Sequence, residues 1–156
     1  MLRTDDPRVE AAALGLVLVA VDGDDPELAA WALEDRLWAP AMLNLLALTC
    51  ERLRRVDDAA AWLADMRAAF QSAPGFEVGG PAAVDAVAAV RRGDVLGLRE
   101  KLEAVPRADL AKALVGAVAL AAAAMAGLSD HGRAELEALH RDAVEAAAEL
   151  GDDDGI

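Results

Sequence analysis

The sequence predicts an all-α fold of about eight helices, arranged as two related four-helix units packed into one compact helical domain. Apolar residues recur at helical spacing along most of the 156-residue chain. Alanine supplies much of the 56% hydrophobic composition, whereas bulky aromatic residues are limited to three Trp and two Phe. Such a chain forms its core through close contact between helices rather than through large side chains.

The first half of the chain divides into four predicted helices. Three of them begin at an acidic capping residue, and proline occupies the first turn of two, which is where proline is best tolerated in a helix. The first helix begins at Asp6-Pro7 and stops at Gly23, and the second begins at Asp24-Asp25-Pro26. The third covers about residues 39–56, and Asp57 caps the fourth.

Residues 72–81, SAPGFEVGGP, form the clearest break in the chain because Pro and Gly are concentrated there. Four more helices follow: about 82–92, one capped by Asp94, a long one opened by Pro106, and a last one capped by Ser129 or Asp130. We therefore expect a first helical unit over 1–72, a Pro/Gly linker over 73–81, a second unit over 82–150 and an acidic, frayed tail over 151–156.

The two units are related by a shift of 70 residues, which places Gly-Asp after an apolar run in both copies. We interpret this match as a tandem duplication. The identical pairs are Ala12/Ala82, Ala13/Ala83, Val17/Val87, Gly23/Gly93, Asp24/Asp94 and Leu28/Leu98.

The apolar run before the first of these glycines also has a different interpretation. In LVLVAVDGDD, residues 16–25, Asp22 and Asp24 follow alternating valines. This segment is similar to the nucleophile loop of the haloacid dehalogenase-like phosphotransferases. The resemblance implies a strand over residues 16–21, Mg²⁺ held by both aspartates, and attack on phosphorus by Asp22. The sequence departs from that loop where Asp25-Pro26 replace its usual Thr or Val.

The repeat favours a helix over a strand at residues 16–21. The counterpart segment is AVAAVRRGDV, residues 86–95, whose alanines are good helix formers and poor strand formers. If both copies share one conformation, each Gly-Asp is a helix stop followed by a cap. The only other β-like stretch, residues 76–78, is too short to build a sheet.

The charge of the chain limits its partners. Asp and Glu number 28 against 15 Lys and Arg, which gives a net charge of −13. Phosphate backbones and anionic lipids repel such a surface, so we expect no direct binding to nucleic acid or to a membrane. A basic surface on a partner protein would instead be attracted.

The location of the protein is predicted from three negative signals. Cys50 is the only cysteine, and the N-terminal residues do not resemble a signal peptide. The longest apolar stretch, residues 113–128, is short for a membrane span. We expect a soluble cytoplasmic protein.

No catalytic or metal-binding constellation is evident in the sequence. Glu137 and His140 have the i, i+3 spacing of carboxylate-bridged di-iron bundles, but His131, the only other histidine, is expected on the opposite side of the helix. Cys50 lies in an apolar stretch, where a buried and unactivated thiol is the default. The sequence therefore predicts no metal and no cofactor, and it favours a non-catalytic protein.

Two features are candidate interaction surfaces. A strip of small residues on the long helix allows another helix to approach closely, either within the chain or in a second subunit: Gly116, Ala119, Ala123 and Gly127. All three tryptophans, Trp31, Trp38 and Trp62, lie in the first unit. Tryptophan is enriched at interface anchors, and Trp38 in particular is expected to reach outward from a connection. The alternative is that the tryptophans are ordinary core residues.

These observations favour a non-catalytic protein–protein interaction module, namely an adaptor, an accessory subunit or a dimerising protein. A second hypothesis is an acidic inhibitor that mimics nucleic-acid charge toward a basic partner. The third is the Mg²⁺-dependent phosphotransferase that uses Asp22 and Asp24.

Overall fold

The computed structural model describes residues 6–25, 30–31, 33, 35–127 and 131–154 of the chain. Over these residues the protein is all-helical and contains no β-strand, so the all-α class predicted from the sequence is confirmed. The predicted second helix, beginning at Pro26, lies largely outside the described residues. The described α-helices are α1 (Pro7–Val21), α2 (Trp38–Leu53), α3 (Ala59–Gln71), α4 (Gly79–Arg91), α5 (Val95–Ala104), α6 (Arg107–Gly127) and α7 (Gly132–Asp154), and a 3-10 turn (Asp35–Leu37) precedes α2.

Helix α6 lies at the centre of the packing. It contacts α4 and α2 most extensively, and it also packs against α1 and α7. The five consecutive residues 114–118 are all buried, so buried positions lie all around the helix. A helix that is apolar all round is either the core of a fold or a membrane span, and the packing of four helices around α6 is that of a core helix.

The other helices surround α6 and share one hydrophobic core. Helix α1 packs mainly on α7, α3 packs on α4, and α5 lies at the edge against α4. Since α1 and α7 come from opposite ends of the chain, residues of both predicted units contribute to the same core.

Gly23 and Gly93 end α1 and α4 with the same backbone geometry. Their φ angles are 84° and 85°, in the left-handed region that glycine adopts without strain. Three backbone hydrogen bonds around each glycine also match with a shift of 70 residues. In the first copy, the N–H groups of Asp22, Gly23 and Asp24 donate to the carbonyl oxygens of Leu18, Ala20 and Val19, respectively. In the second copy, those of Arg92, Gly93 and Asp94 donate to Ala88, Val90 and Ala89, respectively. Residues 16–21 are thus the last turns of α1, and each glycine is a helix stop.

Helices α4 and α6 meet backbone to backbone at two glycines. A Cβ atom on Gly116 would overlap the carbonyl group of Gly79, and a Cβ on Gly79 would overlap the carbonyl oxygen of Lys112. A Cβ on Gly80 would in turn overlap the ring of Phe70 on α3. The glycines therefore set the distance at which α4 fits between α6 and α3.

Three boundaries differ from the sequence-based expectations. Helix α4 begins at Gly79, inside the expected linker, because its glycines are needed for packing. The cap of α3 is Asp58 rather than Asp57, and its side chain accepts a hydrogen bond from the Ala61 N–H at 3.0 Å. Helix α7 continues to Asp154, so residues 151–154 of the expected frayed tail are helical.

One described helix has the length and composition of a membrane span. It covers Ala108–Gly127 within α6, with a mean hydropathy of 1.8, and 61% of that apolar window is buried inside the fold. The burial fits a core helix of a soluble protein.

The glycine crossing predicts different effects for two alanine substitutions in α6. Gly116→Ala is expected to lower the free energy of unfolding by about 1–3 kcal/mol because the added methyl group overlaps backbone. Gly127→Ala is the matched control, since no atom of the described residues lies within 4 Å of its Cβ position. Because Gly127 is the last residue of α6, where glycine costs a helix little, this substitution is expected to change the free energy of unfolding by less than about 0.5 kcal/mol. Urea unfolding of both variants measures this, and equal shifts would contradict the crossing.

Candidate functional site

Trp31 and Trp38 form an aromatic pair at the start of α2. Their ring centroids are 5.1 Å apart with an interplanar angle of 83°, an edge-to-face contact. Trp31 is 47% exposed, whereas Trp38 is 1% exposed and its Nε1–H donates to the Ala30 carbonyl oxygen at 3.0 Å. The outward orientation expected for Trp38 is therefore wrong, because its indole N–H has a partner inside the protein and the ring can be buried. The outer ring of the pair is Trp31.

The third tryptophan lies apart from this pair. Trp62 on α3 is half-buried and packs against the hydrophobic core. Of the three tryptophans singled out in the sequence, the structure brings together Trp31 and Trp38.

The members of the small-residue strip on α6 have different surroundings. Gly116 is buried at the crossing with α4. Ala119 and Ala123 are half-buried, and Gly127 is exposed at the end of the helix. The close helix approach is therefore localised at Gly116, and Gly79 is the partner glycine that the sequence did not reveal.

Asp22 and Asp24 lie at the end of a helix, not at the end of a strand. Asp22 accepts hydrogen bonds from Arg133 of α7, with Nη2 at 2.6 Å and Nε at 3.0 Å from its Oδ1 atom. Arg133 also pairs through Nη1 with Glu137 at 3.0 Å. Asp22 thus joins α1 to α7, and the strand that the phosphotransferase-like loop requires over 16–21 is replaced by helix.

His140 faces helix α1 rather than open solvent. It is half-buried, and its Nε2 atom lies 3.4 Å from the position that a Cβ on Gly15 would occupy. Glu137, three residues earlier, is 53% exposed and paired with Arg133. Within the described residues no group of three His, Cys, Asp or Glu side chains could hold a metal ion.

Cys50 has the environment of an unactivated thiol. Burial raises the pKa of the Cys50 thiol to about 11, although nearby Arg91 and Arg54 act in the opposite direction. The thiol lies 3.8 Å from the Val87 carbonyl oxygen, which accepts its weak hydrogen bond.

A cavity of about 180 Å³ lies between α2, α6 and α7. Its most unusual residue is Arg52, which is 8% exposed. The Arg52 Nη2 donates to Oε2 of Glu135 on α7 at 2.9 Å, and the Arg52 Nε–H has no hydrogen-bond partner among the described residues. The residues around the cavity are Leu48, Glu51, Arg52, Arg55, Met125, Glu135 and Leu139.

The sequence did contain a signal for the burial of Arg52. Leu45, Leu48 and Arg52 are spaced by three and four residues, which places Arg52 on the apolar face of α2. Its partner Glu135 is 83 residues away in the chain, so the pair itself could not be inferred from spacing.

A second cavity, of about 360 Å³, lies under helix α5. Most of its wall is apolar, including Met42 and Leu102. Its charged lining residues, Asp85, Arg92 and Asp94, are all exposed, so within the described part of the chain this cavity has no buried charged side chain that would select a ligand.

The environment of Cys50 predicts low reactivity. At pH 8 the folded protein should react with iodoacetamide about 100-fold more slowly than the urea-unfolded chain, because the thiolate fraction falls when the pKa rises from 9.0 to about 11. The unfolded chain loses the thiol proton first, so the free energy of unfolding should decrease as pH rises from 9.0 to about 11.

Cys50→Ala is the control for the pH dependence and should lack this decrease relative to the wild-type protein. Labelling of the folded protein at the rate of the unfolded chain would contradict the buried thiol.

No family model, curated protein or solved structure matches this chain. Its function is therefore inferred from the chemistry and geometry of its residues.

Proposed function

We propose that this protein is a non-catalytic protein–protein interaction module, acting as an adaptor, an accessory subunit or a dimerising protein in the cytoplasm. Its partner binds Trp31 through an apolar pocket and presents a basic rim. The observation that carries this proposal is the exposure of Trp31 on top of the buried Trp38.

The tryptophan pair has the properties of a preorganised anchor. Trp38 is held by its hydrogen bond to Ala30 and by its burial, and it supports the Trp31 ring by edge-to-face contact. A ring that is already positioned loses little conformational entropy when a partner covers it. Tryptophans of this kind dominate many interfaces, and their truncation costs about 2 kcal/mol or more of binding free energy.

The charge of the chain supports a basic partner. The net charge of −13 is spread over both halves of the sequence. Long-range attraction to a basic surface raises the rate of encounter, whereas burial of Trp31 provides affinity that persists at high salt.

We also infer that the scaffold consists of two related four-helix units. The matched helix ends at Gly23 and Gly93 support this inference. A shift of 70 residues relates α1 to α4, α2 to α6 and α3 to α7, and three of the helix contacts follow the same relation. The packing of α1 on α7 corresponds to the packing of α4 on α3. In the same way, the contact of α1 with α2 corresponds to the contact of α4 with α6. The contact of α1 with α6 corresponds to the contact of α4 with α2.

The acidic-inhibitor hypothesis has a weaker basis. Asp142, Glu145 and Glu149 are exposed and lie along one stripe of α7. At the rise of an α-helix these carboxylates are separated along its axis by about 4.5 and 6 Å. Phosphates on one nucleic-acid strand are separated by about 3.4 Å, so the stripe has a lower linear charge density than the strand it would mimic.

The test compares Trp31→Ala with Leu96→Ala, a control in which another exposed apolar side chain, 72% exposed on α5, is removed. Each tagged variant is used to capture partners from a lysate of the source cells at low and at high salt. Trp31→Ala should weaken binding of the captured partner about 30-fold at both salt concentrations, whereas Leu96→Ala should bind as the wild-type protein does.

Circular dichroism of both variants should match that of the wild-type protein, which excludes unfolding as the cause. Capture that is unchanged by Trp31→Ala would contradict the proposal. Capture that is lost at high salt regardless of Trp31 would favour the acidic inhibitor.

A further inference from the structure

We propose that the cavity between α2, α6 and α7 binds a small monocarboxylate with a short apolar chain, whose carboxylate pairs with Arg52 and Arg55. This site is independent of the partner surface at Trp31. The hydrogen bonding of Arg52, the shape of the cavity and its charges all support this site.

Arg52 is an incompletely satisfied cation in a buried position. Its side chain is 8% exposed, its Nη2 pairs with Glu135, and its Nε–H has no hydrogen-bond partner among the described residues. Leaving a charged donor without an acceptor is costly. An additional acceptor would therefore be bound favourably at this position.

The Arg52–Glu135 pair has to open to admit that acceptor, because the Arg52 Nε atom has almost no accessible surface while the pair is formed. The Nε–H and one Nη2–H of an arginine are parallel and match the two oxygens of a carboxylate. Glu135 contacts only Nη2, through Oε2 at 2.9 Å, and does not form this paired arrangement. Because the Glu135 side chain is 43% exposed, it can turn into water when a ligand carboxylate takes both donors.

The size and floor of the cavity define the rest of the ligand. A volume of about 180 Å³ has room for about six non-hydrogen atoms at the density of liquid water, which is the size of butyrate. Leu48 and Met125 are buried and Leu139 is half-buried, so the cavity has an apolar wall for a short hydrocarbon chain.

The charges at the cavity favour an anion once Glu135 has been displaced. Arg55 is exposed beside Arg52 and forms no ion pair within the described part of the chain. With Glu135 turned into water, Arg52, Arg55 and Glu51 remain and give the lining a net charge of +1, which disfavours a cationic ligand. An uncharged hydroxyl accepts a weaker hydrogen bond from the Arg52 Nε–H than a carboxylate does. A monocarboxylate satisfies that donor and neutralises one charge.

The experiment is a calorimetric titration of the full-length protein with sodium butyrate to about 20 mM, at constant ionic strength, with 1-butanol as the uncharged probe of the same length. Butyrate should bind at least tenfold more tightly than 1-butanol. A charge-assisted hydrogen bond accounts for this ratio.

Adjacent arginines provide a matched pair of variants. Arg55→Met should weaken butyrate binding about tenfold, whereas Arg54→Met, which removes an exposed arginine that does not line the cavity, should leave it unchanged. Glu135→Gln should tighten butyrate binding several-fold because it removes the competing carboxylate. These variants change partly exposed side chains, and circular dichroism should show that they remain folded.

Three outcomes would overturn the proposal. The first is the absence of butyrate binding to the wild-type protein. The second is equal binding of butyrate and 1-butanol, which would mean that the arginines do not recognise the ligand. The third is an equal effect of Arg55→Met and Arg54→Met, which would reduce the interaction to the general attraction of an anion to surface arginines.

Discussion

The fold depends on the near absence of side-chain volume where α4 crosses α6. Gly79 and Gly116 bring the two backbones into contact, and any Cβ atom at either position would overlap a carbonyl group of the other helix. This crossing places α6 at the centre, where it also contacts α1, α2 and α7. The position of α6 in turn places Met125 at the cavity that Arg52 and Glu135 border. Close backbone contact thus replaces the bulky side chains that this alanine-rich chain lacks.

The local features of the fold could be predicted from the sequence because they depend on neighbouring residues. Asp6 caps α1 and Gly23 ends it, and Gly93 ends α4 in the same way. The start of α4 could not be predicted, because two adjacent glycines, Gly79 and Gly80, next to Pro81 indicate a linker when only the neighbouring sequence is considered. Their role in a helix depends on Lys112, Gly116 and Phe70, which are brought beside them only by tertiary packing.

The candidate sites show the same limit. The sequence singled out Trp31 and Trp38 but not which of them is exposed, because the burial of Trp38 depends on a hydrogen bond to Ala30 that helical spacing does not reveal. Arg52 lies on the apolar face of α2 in the sequence pattern, yet its incomplete hydrogen bonding becomes visible only when α7 supplies Glu135. The surroundings of Arg52 therefore depend on a contact between segments that are far apart in the chain.

The most direct test of this account is a proton nuclear Overhauser measurement in solution between the α protons of Gly116 and the amide proton of Gly80. The position of a Cβ on Gly116 lies 2.9 Å from the Gly80 nitrogen, so a strong cross-peak is expected. Its absence, in a protein whose α4 and α6 amides are assigned and helical, would contradict the backbone crossing and the central position of α6.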